Sequence, residues 1–206
     1  RKVLERFTDR NLYPYTKFYL KDVKQKTGSY WGNHFSTIGV IGINEACLNF
    51  LGRDIASKTG LKFSLEVMDS IRDKIKEIQE ETGVLFNLEA TPAEGATHRL
   101  ALLDKEKFPE IICANEDAYR GGAGPFYTNS TQLPVNYTDD IFETLNLQDE
   151  LQTKYTGGTV LHIYLGEQIA NIETLKSLIK KIVNQFRLPY FTFSPTFSVC
   201  PSHGYL

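Results

Sequence analysis

Long apolar runs are missing from this sequence. The candidates are short segments such as 38–43 (IGVIGI), far below the roughly 20 residues a helix needs to cross a bilayer, so no transmembrane helix and no membrane partner are expected. A surplus of positive charge is missing too. Twenty-three Lys and Arg stand against 25 Asp and Glu, giving a formal charge of −2 and a pI near 6.1. No net positive field draws phosphate backbones, and direct nucleic-acid binding is not expected. Cysteine is scarce: Cys47, Cys113 and Cys200 are odd in number and far apart. That pattern argues against a disulfide framework and for a reducing compartment. The amino terminus, RKVLERFTDR, lacks the apolar stretch of a secretory signal, which makes the cytoplasm the expected location. Methionine occurs once, at Met68, and the first residue is Arg1, so the chain is expected to be cut from something longer.

What is present is core-forming. With 206 residues, 41% hydrophobic and 12% aromatic, the chain can hide about 70% of the surface its unfolded form exposes, and it is expected to fold as one large domain or two small ones. Periodicity alternates between strand and helix. Residues 1–20 open with an apolar helical face of Val3, Leu4 and Phe7, and an aromatic cluster of Tyr13, Tyr15, Phe18 and Tyr19 surrounds Pro14, which is expected to break the helix. The stretch KDVKQKTGSYWGN reads as an exposed loop. Residues 34–42 (HFSTIGVIG) read as a strand covered on both faces, followed by a helix capped by Asn44 and closed by Gly52. In 64–81, Leu65, Met68, Ile71, Ile75 and Ile78 recur at helical steps, and Gly83 stops them. Further strands are expected over 84–90, 125–134, 159–165 and 190–197, and further helices over 93–103, 141–151 and 172–186. The fold class is therefore α/β, a mostly parallel sheet with flanking helices.

Familiar catalytic signatures are absent. There is no Walker A sequence, no GxGxxG after a strand and no GxSxG, and GGAG at 121–124 has the wrong spacing for either glycine loop. His98 reads as a solvated helix residue, His162 as a hydrogen-bonded core histidine, and His34 carries no partner signal. Two segments stand apart. In YTNSTQLPVN, Thr128, Asn129, Ser130, Thr131 and Gln132 are consecutive hydrogen-bonding residues between glycines and Pro134. Hydroxyls, an amide and exposed N–H groups at a strand end can hold phosphate or sugar oxygens without net charge, although an ordinary polar turn has the same composition. At the carboxyl end, Cys200 and His203 have the C-x2-H spacing of a zinc knuckle, which supplies two of the four ligands a structural zinc needs.

Six blocks, in order, carry a resemblance: LYPYTKFYL, FSTIGVIGINEACLNFLG, ATPAEGATHRLALLDKEKFP, FYTNSTQLPVNYTDDIFETL, LQTKYTGGTVLHIYLGE and FRLPYFTFSPTFSVCPSHGYL. Together they closely resemble the anaerobic (class III) ribonucleoside-triphosphate reductases, which are glycyl radical enzymes. The resemblance implies a ten-stranded α/β barrel built from two five-stranded parallel halves. Residues 1–199 would form the later half and 200–206 the start of a truncated zinc segment. It also implies an enzyme that reduces ribonucleoside triphosphates to deoxyribonucleotides. In the family a finger-loop cysteine becomes a thiyl radical and removes the 3′ hydrogen of the substrate, and a glycine in an R-V-x-G-Y-like motif stores the radical. Both are expected outside this chain, so none of Cys47, Cys113 or Cys200 takes the radical role and the chain alone should be inactive. Thr128, Asn129, Ser130 and Thr131 would help hold the nucleotide, and Cys200 with His203 would be half of a zinc site. The implied cofactors are zinc and a glycyl radical made by an S-adenosylmethionine-dependent iron–sulfur activase. That activating protein, the substrate and a second copy of the enzyme are the implied partners. The alternative is a stand-alone nucleotide-binding or regulatory half-barrel without radical chemistry.

Overall fold

The computed structural model describes residues 1–165, 171–195, 199–200 and 204–205. The chain divides into two compact units, Arg1–Ile38 with Asp73–Asn87, and Gly39–Arg72 with Leu88–Leu206.

The first unit opens with three short helices, α1 (Lys2–Asp9), α2 (Pro14–Tyr19) and α3 (Lys21–Thr27). The apolar face expected on α1 is not its buried side. Val3 and Leu4 are exposed, while Thr8 is fully buried and donates its hydroxyl to Leu4 O at 2.8 Å, returning its polar group to the helix itself. Pro14 begins α2 at the first helical position, where its missing N–H costs nothing. The loop expected over KDVKQKTGSYWGN is half wrong, because its first seven residues are α3. Asp22 in the first turn and Lys24 and Lys26 in the last complement the helix dipole, and Gly28, at φ 78°, closes the helix with its N–H on Lys24 O. A helix without an apolar period is still a helix when its ends are matched. Behind it, the Glu5 carboxylate accepts from Trp31 N at 2.9 Å and from the Ser29 hydroxyl, tying down the turn that follows.

Strand β1 (Ser36–Val40) leads into α4 (Ile43–Leu51). Of β1 only Val40 is buried, and Ile38 is exposed, so the expectation of a strand covered on both faces does not hold among the described residues. The helix is capped by Gly42, at φ 73°, and not by Asn44, which lies inside the first turn. Helix α5 (Lys58–Thr82) starts six residues before the expected one. The Ser57 hydroxyl accepts from Gly60 N at 3.0 Å and so supplies the cap. Met68 and Ile75 are its buried anchors. After β2 (Phe86–Ala90) come α6 (Glu94–Lys107), α7 (Glu116–Arg120) and α8 (Ile141–Gln152), then β3 (Leu161–Leu165), α9 (Ile172–Gln185) and β4 (Phe191–Pro195). The remaining strands, β5 (Val199–Cys200) and β6 (Gly204–Tyr205), form an antiparallel pair.

The strands form three two-stranded sheets among the described residues, β1–β2, β3–β4 and β5–β6, in place of one continuous parallel sheet. The β3–β4 pair is parallel, with Leu161 opposite Phe191 and Ile163 opposite Phe193. Leu161 and Ile163 point into a cluster with Leu145 of α8 and Ile182 of α9, ringed by Phe142, Leu178 and Phe186. This is the α/β layering the pattern predicts, a helix packed on a parallel pair by its apolar stripe. The strand expected over 125–134 does not form. That segment is irregular and carries a turn at 129–131.

Candidate functional site

The irregular segment becomes the centre of the second unit because of where its backbone goes. Gly42 N donates to Thr128 O at 2.9 Å and Ile43 N to Ser130 O at 3.2 Å, so the segment's carbonyls satisfy the first N–H groups of α4, just past β1. The Ser130 hydroxyl reaches Thr91 O, just past β2, at 3.5 Å. The polar turn thus sits at the carboxyl ends of both strands, where α/β folds place their ligands. Gln132 N bonds Asn129 O at 2.9 Å, and Ser130 turns the chain with φ 50°.

Burial sorts the four expected binding residues. Thr128, Ser130 and Thr131 are buried, and their hydroxyls have protein partners. Thr128 Oγ1 donates to Glu45 Oε1 at 2.6 Å, Ser130 Oγ to Asn129 Oδ1, and Thr131 Oγ1 lies 3.0 Å from the Tyr155 hydroxyl. Asn129 is half-buried, and its Nδ2 makes no hydrogen bond among the described residues. Thr128 and Asn129 line a cleft of about 780 Å³, the size of a small-molecule site, whereas Ser130 and Thr131 lie behind it. The lining also includes Asn115, Glu116 and Ala118, with His162 and Tyr164 of β3.

The anchors behind the turn were not singled out in the sequence. From α8, Gln148 Nε2 donates to Thr131 O at 3.0 Å, and Gln152 Nε2 donates to Gln148 Oε1 at 2.9 Å, with both glutamines fully buried. Burial pushes the Tyr155 hydroxyl up to about 12, so it stays a neutral partner for Thr131. A usable signal existed: Ile141, Leu145, Gln148 and Gln152 form one helical stripe, and a polar residue on a core stripe needs a buried partner.

The 111–116 loop, which also lines the cleft, is pinned by an ion pair. Lys105, nearly buried, donates to Glu116 Oε1 at 2.9 Å and Oε2 at 2.8 Å and also to Ile111 O, while Cys113 N donates to Glu116 Oε2 at 3.1 Å. The Lys105 ammonium holds the Glu116 carboxyl below the usual carboxylate range. The glycine loop is tied to the same segment through Asn115, which bonds Gly124 O at 2.8 Å and Phe126 N at 3.3 Å. His98 is exposed, as expected, but its Nδ1 lies 2.7 Å from Pro125 O, and a Cβ on Gly124 would stand 2.6 Å from its ring. His162 has the expected partner, Thr192 Oγ1 at 3.0 Å, but it also faces the cleft.

The cleft lining holds Glu116, Asp117 and Asp139 and, among the described residues, no Lys or Arg. Neither buried thiol lines it. Cys47 Sγ lies 3.3 Å from Ser64 Oγ, and burial pushes Cys113 up to about 11. Cys200 lies in β5, in register with Gly204, whereas His203 lies outside the described residues. A thiolate and an imidazole suit zinc, but they are half of a four-ligand set. Among the described residues no group of three or more His, Cys, Asp or Glu could hold a metal, and no helix is long and apolar enough to cross a membrane.

A hydrogen-bonding turn at strand ends, backed by buried polar anchors, opens on a cleft in an α/β protein, the position at which α/β folds place their ligands. The family model for anaerobic ribonucleoside-triphosphate reductase matches residues 1–206, and the chain belongs to that family. It is 28% identical over 148 residues to the anaerobic ribonucleoside-triphosphate reductase of Enterobacteria phage T4, covering 71% of this chain and 22% of that protein. Among solved structures, the Thermotoga maritima anaerobic ribonucleotide reductase with MES in the active site matches all of this chain and 32% of its own, at 26% identity and TM-score 0.74. The same enzyme in complex with dATP and CTP matches 84% of this chain and 27% of its own, at 28% identity and TM-score 0.64. The chain therefore spans between about a fifth and a third of these relatives' length.

Proposed function

We propose that this chain supplies part of the catalytic barrel of an anaerobic ribonucleoside-triphosphate reductase, and that its cleft receives the nucleotide to be reduced. One observation carries the reading: the turn 128–131 hangs from the carboxyl ends of β1 and β2 and faces a cleft of ligand size. Thr128 and Asn129 meet the nucleotide, and Ser130 and Thr131 set the turn's backbone from behind. Binding of CTP by the T. maritima relative supports a ribonucleotide as the ligand. Because the described lining has three carboxylates and no Lys or Arg, the phosphates are held by neutral donors and arrive with a divalent counter-cation.

In this reading the barrel has ten strands, of which this chain contributes to the later half. The radical is generated on a glycine elsewhere in the enzyme by an S-adenosylmethionine-dependent iron–sulfur activating protein. This chain's residues bind and orient the nucleotide. Cys200 and His203 begin a zinc site completed by other ligands, and the enzyme works as a cytoplasmic homodimer. Two measurements test the proposal. The purified chain, treated with the activating system, is expected to form no deoxyribonucleotide, and product formation would overturn the assignment of the radical residues. In the full-length reductase, Asn129→Leu is expected to raise KM for the ribonucleotide about tenfold, the equivalent of one lost hydrogen bond to a charged group. An unchanged KM would remove the cleft reading.

A further inference from the structure

Glu45 is 3% exposed, does not line the cleft, and yet bonds two chain segments that do. Its Oε2 accepts from Thr128 N at 3.0 Å, and its Oε1 accepts from the Thr128 hydroxyl at 2.6 Å and from Ala114 N at 3.2 Å. Asn44 Nδ2 adds a longer contact at 3.4 Å. Thr128 belongs to the polar turn and Ala114 to the 113–116 loop, and both line the cleft. The α4 N–H groups of Gly42 and Ile43 bond the turn's carbonyls in return, which makes a reciprocal cap between segments 83 residues apart.

We propose that Glu45 is the positioning residue of the nucleotide cleft, its carboxylate fixing the polar turn against the 113–116 loop in the arrangement that receives the ribonucleotide. The inference rests on the cleft reading above. It follows from which groups converge on Glu45. Two are backbone N–H donors, which cannot reverse, so only a side chain with two acceptor oxygens satisfies both segments at once. A glutamine offers one acceptor and one donor. It must turn its NH2 toward either Thr128 N or Ala114 N, and the segment that meets the NH2 moves away. Asn129, next in the chain after Thr128, moves with the turn. The carboxylate also stands in the first turn of α4, where the helix dipole favours it.

The test uses the full-length reductase, with ribonucleoside triphosphate affinity, KM and kcat measured beside thermal stability. Glu45→Gln and Thr128→Val are each expected to weaken nucleotide binding about tenfold with kcat at saturation changed far less, and the double variant to be no worse than either alone, because both remove one joint. Thr128→Ser keeps the hydroxyl and is expected to bind within about twofold of the parent, a rescue that loss of general stability would not produce. Should Glu45→Gln fail to fold, Glu45→Asp, which keeps two acceptor oxygens but sets them back by one methylene, takes its place: weakened affinity with little change in kcat is expected, and parental affinity would overturn the positioning role. Parental affinity in Glu45→Gln and Thr128→Val beside weakened binding in Asn129→Leu would overturn the positioning role and leave the cleft standing. Parental affinity in Asn129→Leu would remove the cleft, and the positioning role with it.

Discussion

The two sides of the cleft in the second unit are built on opposite principles. The β3–β4 side stands on an apolar cluster in which Leu145, Leu161, Ile163 and Ile182 are at most 2% exposed and packing is graded and non-directional. The turn at 128–131 stands on buried hydrogen bonds to Glu45, Gln148 and Tyr155, each with one correct partner and one correct angle. Apolar packing supplies the stability. The polar anchors supply a single arrangement of backbone and side chains, since a shift of either partner leaves a buried group unpaired.

That contrast can be broken most forcefully from the apolar side. Leu145→Ala is expected to cost about 2–5 kcal/mol in urea unfolding, whereas Leu145→Met, which keeps the volume, is expected to cost less than about 1.5 kcal/mol. Equal losses in the two would mean that the cluster is held by shape as strictly as the turn is held by hydrogen bonds. The polar side should give the reverse ranking. Gln148→Leu preserves apolar bulk but strips Thr131 O and Gln152 of their partner, for an expected loss of about 1–3 kcal/mol by the same measurement.

The pinned loop sharpens the comparison through pH. Glu116 has a folded-state pKa below its ordinary 4.5, so its pairing with Lys105 stabilises the fold fully above that value and fades as pH falls through the folded one. Lys105→Met is expected to cost about 2 kcal/mol at pH 7, a difference that shrinks below about pH 4 when unfolding is followed across pH. A gap that stays constant with pH would assign the loss to packing of the Lys105 stem. The smallest effect concerns the thiols. With burial raising both Cys47 and Cys113, the latter to about 11, neither is expected to take up iodoacetamide at pH 8 in the folded chain, as read by intact mass. Rapid labelling of either would show local opening at α4 or at the 113–116 loop.

Much of the scaffold was legible. The 3.6-residue period of Leu65, Met68, Ile71, Ile75 and Ile78 marked α5, and similar stripes marked α8 and α9, because one face of each must leave water whatever it packs against. The errors have physical causes. A run of β-branched and aromatic residues, FYTNSTQL, has strand propensity but pairs with no strand among the described residues, and it folds into a turn that spends its carbonyls on α4. The exposed KDVKQKT run lacks an apolar period, yet end charges and Gly28 suffice for two turns of helix.

Residue type, local spacing and long blocks read in order were enough for the α/β class, the family, the long helices and the polar segment at 128–131. It took the folded arrangement to show that Thr128 and Asn129 line the cleft while Ser130 and Thr131 do not, and that Glu45, Gln148 and Tyr155 are the anchors. Hydrogen bonds such as that between Glu45 and Thr128, 83 positions apart, leave no periodic trace along the chain, since what they require is a donor and an acceptor brought together by folding and shielded from water.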